Sequence, residues 1–334
     1  MEDALNEIGV VTIGRNEGDR LKRCLNSLVG TVSAMVYVDS GSTDGSGDFA
    51  RSLGVEVVEL DMTQPFSMAR GRNAGANRLL DLNPALKYIQ FVDGDCEVVP
   101  NWIKTAFDYL NQHPDTWVVC GRRRERFPEA SLFNMLCDIE WNTPIGKAKS
   151  CGGDAMMRSH AFRDAEGFNE ALIAGEEPEL CIRFRKAGGI ILRLDEEMTR
   201  HDANITRFSA WWKRTLRSGY AAANVIQLHK DITPKEQIHF YGLAKSAWIW
   251  SVGWLGVTLL LGFLHPLGFV IGLLIWMTQT LRIARGIRSR TDGLKDAWLY
   301  GLTTLIGKWP QLQGILTYHR DLRSGKTITL IEYK

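Results

Sequence analysis

The sequence predicts a doubly wound, mostly parallel α/β sheet followed by a helical, membrane-associated region. Short apolar runs alternate with helix-compatible stretches over the first 95 residues, a polar cluster follows most of these runs, and a long uncharged segment sits late in the chain. The runs are residues 8–12 (IGVVT), 34–38 (AMVYV), 55–59 (VEVVE) and 88–92 (YIQFV), all rich in β-branched or aromatic side chains. Strands alternating with helices imply parallel pairing. Ligands of such sheets bind beyond the carboxyl ends of the strands, and here those ends carry Thr12 to Glu17, Asp39 to Asp44 and Asp93 to Asp95.

Composition narrows the function. The 334 residues hold 40 Lys and Arg against 38 Asp and Glu, a net charge of +2, so there is no broad basic field of the kind nucleic-acid binding favours. Six cysteines, Cys24, Cys96, Cys120, Cys137, Cys151 and Cys181, include no C-x-x-C pair, which argues against a zinc knuckle or a redox dithiol and for reduced thiols packed in a cytosolic core. The acidic start, MEDALNEIGVV, has neither a basic n-region nor a leader-type apolar run, so no secretory signal is expected.

Between Ser246 and Leu281 no residue carries a formal charge except His265 when protonated. A single helix of that length would reach roughly 54 Å, nearly twice the hydrocarbon core of a bilayer, but His265-Pro266 divides it into two arms of roughly 27 Å. Lys245 on one flank and Arg282, Arg285, Arg288 and Arg290 on the other place both ends in the cytoplasm by the positive-inside rule. Glycines 253, 256, 262, 268 and 272 would let the arms approach closely. A full span and a shallow re-entrant hairpin both fit, and either anchors the chain at the cytoplasmic face of a membrane, the inner one in a bacterium.

The segment 207–223 (RFSAWWKRTLRSGYAAA) spaces Phe208, Trp212, Leu216 and Tyr220 four apart, which suits a helix lying among lipid headgroups or one packed on the catalytic domain. A second interfacial element is expected over 296–320, divided at Pro310. The implied organisation is 1–205 catalytic, as a nucleotide-binding half (1–95) and an acceptor half (96–205), then 206–245 interfacial, 246–281 hairpin and 282–334 a basic, amphipathic tail.

The chemistry begins at Phe91-Val92-Asp93-Gly94-Asp95, where an apolar strand runs into two carboxylates separated by glycine. Hard oxygen ligands in this spacing suit Mg²⁺ or Mn²⁺. A second strand ends in Asp39-Ser40-Gly41-Ser42-Thr43-Asp44-Gly45-Ser46, and Ala69-Arg70-Gly71-Arg72-Asn73-Ala74-Gly75 opens a helix. In order, NE, VDSGSTDGS, RGRNAGA, DGD and GEEPELCIRFR resemble glycosyltransferase family 2 across roughly residues 8–200, in its membrane-anchored bacterial form.

That resemblance implies a GT-A fold and an inverting, metal-dependent transfer from a nucleotide-sugar donor. It implies that Thr12, Glu17 and Asp39 border the nucleoside, that Arg72 and Asn73 contact the diphosphate, and that Asp93 and Asp95 match the metal-binding D-x-D pair. The family's base lies in an E-D pair before a leucine-containing helix. Glu176-Glu177-Pro178-Glu179-Leu180 stands there with glutamate for aspartate, so Glu177 is the candidate base and Glu176 its alternative. His201 occupies a position from which many GT-A enzymes return a histidine to the metal; packing, or a hydrogen bond to Asp202, is the competing assignment. The run Arg122-Arg123-Arg124-Glu125-Arg126 is expected to be a solvated face.

The expected acceptor is membrane-associated: a lipid-linked oligosaccharide, or a polysaccharide or lipopolysaccharide precursor. Trp211-Trp212-Lys213-Arg214 lacks the Q-x-x-R-W pattern of processive synthases, which favours addition of single sugars. Thr12-Ile13-Gly14-Arg15-Asn16-Glu17 has one glycine where a sugar nucleotidyltransferase needs a glycine-rich triphosphate loop. A non-catalytic nucleotide-sugar-binding adaptor is the remaining alternative.

Overall fold

A computed structural model describes residues 6–230 and 238–325. The amino-terminal start, the end of the basic tail and part of the 206–245 segment lie outside the described residues. Contacts divide the chain into two compact units, Met1–Asn204 and Ile205–Lys334.

One nine-stranded sheet dominates the first unit. Its strands are β1 (Ile8–Gly14), β2 (Ala34–Asp39), β3 (Glu56–Glu59), β4 (Tyr88–Asp93), β5 (Cys96–Val98), β6 (Thr116–Glu125), β7 (Gly146–Lys147), β8 (Ala155–Arg158) and β9 (Ile190–His201). The helices between them are α1 (Asp19–Asn26), α2 (Ser46–Ser52), α3 (Met68–Leu82), α4 (Trp102–Gln112), α5 (Leu132–Trp141), α6 (Ser159–Asp164) and α7 (Glu176–Lys186). The order is β3-β2-β1-β4-β8-β6-β9-β5, with β7 on the side of β9. Crossover helices return the chain in the same direction through β4, so β1 pairs parallel with both β2 and β4. Beyond β4 the sheet becomes mixed, with β8 antiparallel to β4 and β6.

As a central parallel strand, β1 is buried along almost its whole length, and its residues are correspondingly apolar rather than alternating. The glycines of RGRNAGA explain how α3 seats on it. A Cβ added at Gly75 would fall 2.4 Å from Val11 and 2.9 Å from Val38, so any larger residue there lifts the helix. Ser67 caps α3 by accepting a hydrogen bond from the Arg70 N–H. Phe91, Phe162 and Phe168 pack together at ring separations of 5.3–5.4 Å, tying β4 to α6 and the loop after it.

The second unit is helical: α8 (Phe208–Leu228), α9 (Ile238–Trp248), a π-helical turn (Ile249–Gly253), α10 (Trp254–Leu264), α11 (Leu267–Ile287), α12 (Leu294–Ile306) and α13 (Lys308–Ser324). The π-turn joins α9 and α10 into one arm, and α11 turns back after His265-Pro266. The imidazole Nδ1 of His265 accepts a hydrogen bond from the Leu267 N–H, closing that turn. His239–Leu264 and Leu267–Arg290 are long and apolar enough to cross a membrane, with mean hydropathies of 1.7 and 1.6. Of the five glycines expected to join the arms, three do so: a Cβ at Gly262 meets Phe269, at Gly268 meets Leu261, and at Gly272 meets Thr258. Gly256 faces open space and Gly253 meets only its own helix, at the Trp248 carbonyl, so these two have no part in the contact.

Two further expectations change. Segment 207–223 forms α8, and its Tyr220 is buried with the ring 5.3 Å from Tyr318 of α13, so the four-residue spacing is a packed face at that end. The break within 296–320 falls at Gly307, between α12 and α13. Pro310 sits in the first turn of α13, where a missing N–H costs no helical hydrogen bond.

Candidate active site

Strand ends and the loops after them build the site. The β1 and β2 loops are stitched together, since Thr43 N–H donates to Asn16 Oδ1 and Gly18 N–H donates to Asp44 Oδ2. Asp39 accepts from the Ser42 N–H at 2.7 Å and is 8% exposed. Glu17 pairs with Arg20 at 2.8 Å in the same loop pair. Thr12, by contrast, is 1% exposed, enclosed within the sheet rather than bordering an open donor site.

Gly94 sits where the chain leaves β4, and a Cβ there would fall 2.9 Å from the Ile13 carbonyl oxygen. The glycine of the D-x-D segment is therefore required by contact with β1. Immediately after Asp95, β5 pairs antiparallel with the end of β9, in a register that sets His201 across from Cys96. This pairing, between segments far apart in sequence, brings His201 Nε2 to 3.2 Å from Asp95 Oδ1. Both are 8% exposed. The acidic residues 195–197 continue β9 as strand, and that continuity delivers the histidine. Trp141 packs edge-on to the imidazole at 4.7 Å, and Asp202 pairs with Arg23 instead of His201.

Around Asp93 the charges are matched closely. Arg72 donates to Asp93 Oδ1 and to Glu176 Oε1, each at 2.6 Å. Arg123 lies 2.9 Å from Asp154 Oδ2 and 3.8 Å from Asp93 Oδ2. Burial of Asp93 favours its neutral form, but Arg72 and Arg123 outweigh that and hold the carboxyl below its usual value. Arg72 is itself only 2% exposed, and its guanidinium stacks 5.6 Å from the Phe168 ring. Its placement is a bridge between two acids, not an open arm towards a diphosphate. Asn73 also departs from expectation: its amide donates to the Phe168 carbonyl and Glu170 and accepts from the Phe168 N–H. Those bonds fix the 168–170 loop and leave the side chain no donor for a phosphate.

Glu176 and Glu177, adjacent at the start of α7, part company. Glu176 belongs to the Arg72 bridge. Glu177 Oε1 accepts from the Cys151 N–H at 2.5 Å and from the Cys181 thiol at 3.0 Å, and among the described residues it has no ion-pair partner.

Sequence reasoning missed Asp154 and Arg123. Asp154 is fully buried and accepts from the Asp93 N–H, the Thr199 hydroxyl and Arg123, joining β4, β9 and β6. Its signal was an acid closing Gly152-Gly153 just before a strand. Gly153 needs its φ of +92°, and a Cβ there would meet Arg72, Arg123 and Asp93 at 3.2–3.5 Å. The 122–126 run is not a solvated face. Arg122 is 6% exposed and pairs with Asp138, Arg126 pairs with Glu97, and only Arg124 is on the surface.

Asp95 and His201 offer a carboxylate oxygen and an imidazole nitrogen 3.2 Å apart, and Asp93 stands two residues before Asp95 in the same turn. Two adjacent ligands of an octahedral cation, each about 2.2 Å from it, would lie roughly 3.1 Å apart, close to the separation of Asp95 Oδ1 and His201 Nε2. The residues therefore fit Mg²⁺ or Mn²⁺.

Comparison with known proteins places this geometry. Residues 9–154 match the model of glycosyl transferase family 2. Residues 9–154 form a family 2 glycosyltransferase domain. Over 332 residues it is 32% identical to the pre-mycofactocin glycosyltransferase of Mycobacterium tuberculosis, covering 94% of this chain but 65% of that relative's length. Among solved structures, the chain resembles the mannosyltransferase PcManGT of Pyrobaculum calidifontis, seen with GDP-Man and Mn²⁺. The TM-score is 0.60 at 12% identity, over 94% of this chain and 87% of that one. S. aureus TarS 1-349 gives a TM-score of 0.52 at 13% identity, over 96% and 92%. These likenesses show that the fold is GT-A.

Proposed function

We propose that this protein transfers a sugar from a nucleotide-sugar donor to an acceptor hydroxyl with inversion, and that its acceptor is membrane-associated. The observation that carries the reading is the pairing of Asp95 with His201 at the carboxyl edge of the sheet, beside an Asp93 held by Arg72 and Arg123. Asp95, Asp93 and His201 would hold the divalent cation, which when bound supplies Lewis-acid stabilisation to the departing nucleoside diphosphate. Asp39 and Glu17, in the stitched β1 and β2 loops, would receive the nucleoside.

Glu177 is the proposed base. Inversion asks one carboxylate to take the acceptor's proton as the hydroxyl attacks opposite the leaving phosphate. A carboxylate clamped by a guanidinium is a poor proton acceptor, which sets Glu176 aside as the group that orients Arg72. Glu177 has no such clamp. The hairpin of α9–α10 and α11 would anchor the chain at the cytoplasmic face and so raise the local concentration of an amphiphilic acceptor. A donor screen with the detergent-solubilised full chain and Mn²⁺ or Mg²⁺ tests this. Metal-dependent release of a nucleoside diphosphate from one donor supports the reading; no release from any donor, with or without lipid extract, overturns it.

A further inference from the structure

A second group of ligating side chains lies apart from Asp93, Asp95 and His201. Glu177 and Cys181 are one turn apart on the same face of α7, and Cys151 reaches them from the loop before β8. All three are buried, at 5%, 0% and 6% exposure. The two sulfurs are 3.8 Å apart, and Cys181 Sγ is 3.0 Å from Glu177 Oε1. Neither thiol is in a disulfide.

Two independent features point to a cation here. Sulfur ligands about 2.3 Å from a tetrahedral zinc ion stand roughly 3.8 Å apart, the separation these thiols already have. Glu177 is also a buried carboxylate without an ion-pair partner among the described residues, whereas its neighbour Glu176 has Arg72. Buried carboxylates are ordinarily matched by a cation or a metal. Cysteine spacing gave no hint, because the two thiols come from a loop and a helix rather than a C-x-x-C pair.

We propose that Cys151, Glu177 and Cys181 form a binding site for a thiophilic divalent cation of the Zn²⁺ or Cd²⁺ class. It is separate in place and chemistry from the hard-donor set: Mg²⁺ prefers oxygen ligands, while thiolates select the softer ion. On binding, the cation forms bonds to both sulfurs and to the carboxylate, and the two thiol protons pass to water. If Glu177 is the base, as proposed above, occupancy withdraws it from the acceptor, and the soft cation inhibits transfer even with Mg²⁺ in excess.

Titrating the full chain in detergent with Cd²⁺, at millimolar Mg²⁺, tests the site directly through thiolate-to-cadmium charge-transfer absorption in the ultraviolet. One equivalent is expected to saturate the band. C151S and C181S should each lose it, while C137S and D95A keep it, and E177Q, which retains both thiols, should weaken binding at least tenfold without abolishing the band. Circular dichroism confirms that each variant is folded, and E177Q decides the matter if a serine variant is not. No band at a few equivalents, or a band that survives in both folded serine variants, overturns the proposal. The spectral result does not depend on turnover. Cd²⁺ binding without inhibition of an active enzyme would retain the cation site and reject Glu177 as the base.

Discussion

At the strand ends of the first unit, charged groups are withdrawn from water and matched to one another, whereas along α10 and α11 of the second unit many large apolar groups are left uncovered. Arg72, Asp154 and Glu176 are 2%, 0% and 5% exposed, while Phe263, Leu264 and Leu267 are 89%, 70% and 61% exposed. A buried ion pair is a poor investment for stability alone, since an apolar core of the same volume does as well or better. An uncovered apolar arm is equally costly in water. The proposed function accounts for both: at the strand ends a charged small molecule and its cation would complete the site, and along the arms the interior of a bilayer would cover the apolar groups.

The largest effect that would break this contrast is at the cation set. Asp95→Ala is expected to weaken Mn²⁺-dependent donor binding by about 10²-fold with the fold intact, because it removes a proposed ligand rather than core volume. Calorimetry with nucleoside diphosphate and Mn²⁺ reads this, and unchanged metal dependence would detach Asp95 from the site. Glu177→Gln should lower transfer by roughly 10² to 10⁴ at retained donor affinity. Glu176→Gln should act more mildly on turnover, and chiefly on donor affinity, by loosening Arg72; the reverse ranking would exchange the two roles.

For the apolar side, a lone cysteine at position 265, in a variant without the native six, should react with an impermeant maleimide added outside intact cells if the hairpin spans. Protection outside together with labelling in inverted vesicles would show a re-entrant hairpin. The smallest effects lie inside the hairpin. Gly272→Leu should splay the arms at Thr258 and lower the melting temperature in detergent, by a core-overpacking cost of roughly 1–3 kcal/mol. Gly256→Leu, facing open space, should leave the melting temperature unaltered. Equal effects of the two would refute the seam.

How far the sequence foretold this depends on distance along the chain. The parallel half was legible because each strand, crossover and loop is local, and alternation of apolar runs with helices reports them directly. The hairpin turn was legible because His265-Pro266 interrupts an uncharged run. The mixed half was not, since the pairing of β5 with β9 joins segments far apart, and no local pattern states that Thr199 and Asp154 will meet. Arg122 to Arg126 misled for a related reason: the acids that pair with them, Asp138, Asp154 and Glu97, lie outside the run, so nothing local shows that Arg122 and Arg123 turn inward while Arg124 stays on the surface. Asn73 misled because its neighbour Arg72 faces the acids while it turns to the 168–170 loop.

The turn at His265-Pro266 divides the uncharged segment unequally. From Ser246 the first arm offers 19 residues, and to Leu281 the second offers 15. At 1.5 Å per residue these are roughly 28 Å and 22 Å rather than two equal arms of roughly 27 Å, because His265-Pro266 falls past the midpoint and belongs to neither, against a hydrocarbon layer of about 30 Å. In a spanning hairpin the second arm, Leu267–Arg290, is long enough to cross, but its uncharged part is shorter than an average bilayer is thick, which brings Arg282 and Arg285 into the crossing length. Either Arg282 and Arg285 stretch their side chains out to the headgroups or the lipid thins around them, at a fraction of a kcal/mol per ångström. A spanning hairpin would therefore act as a gauge of membrane thickness, and its partitioning between vesicles of short-chain and long-chain lecithins should favour the thinner.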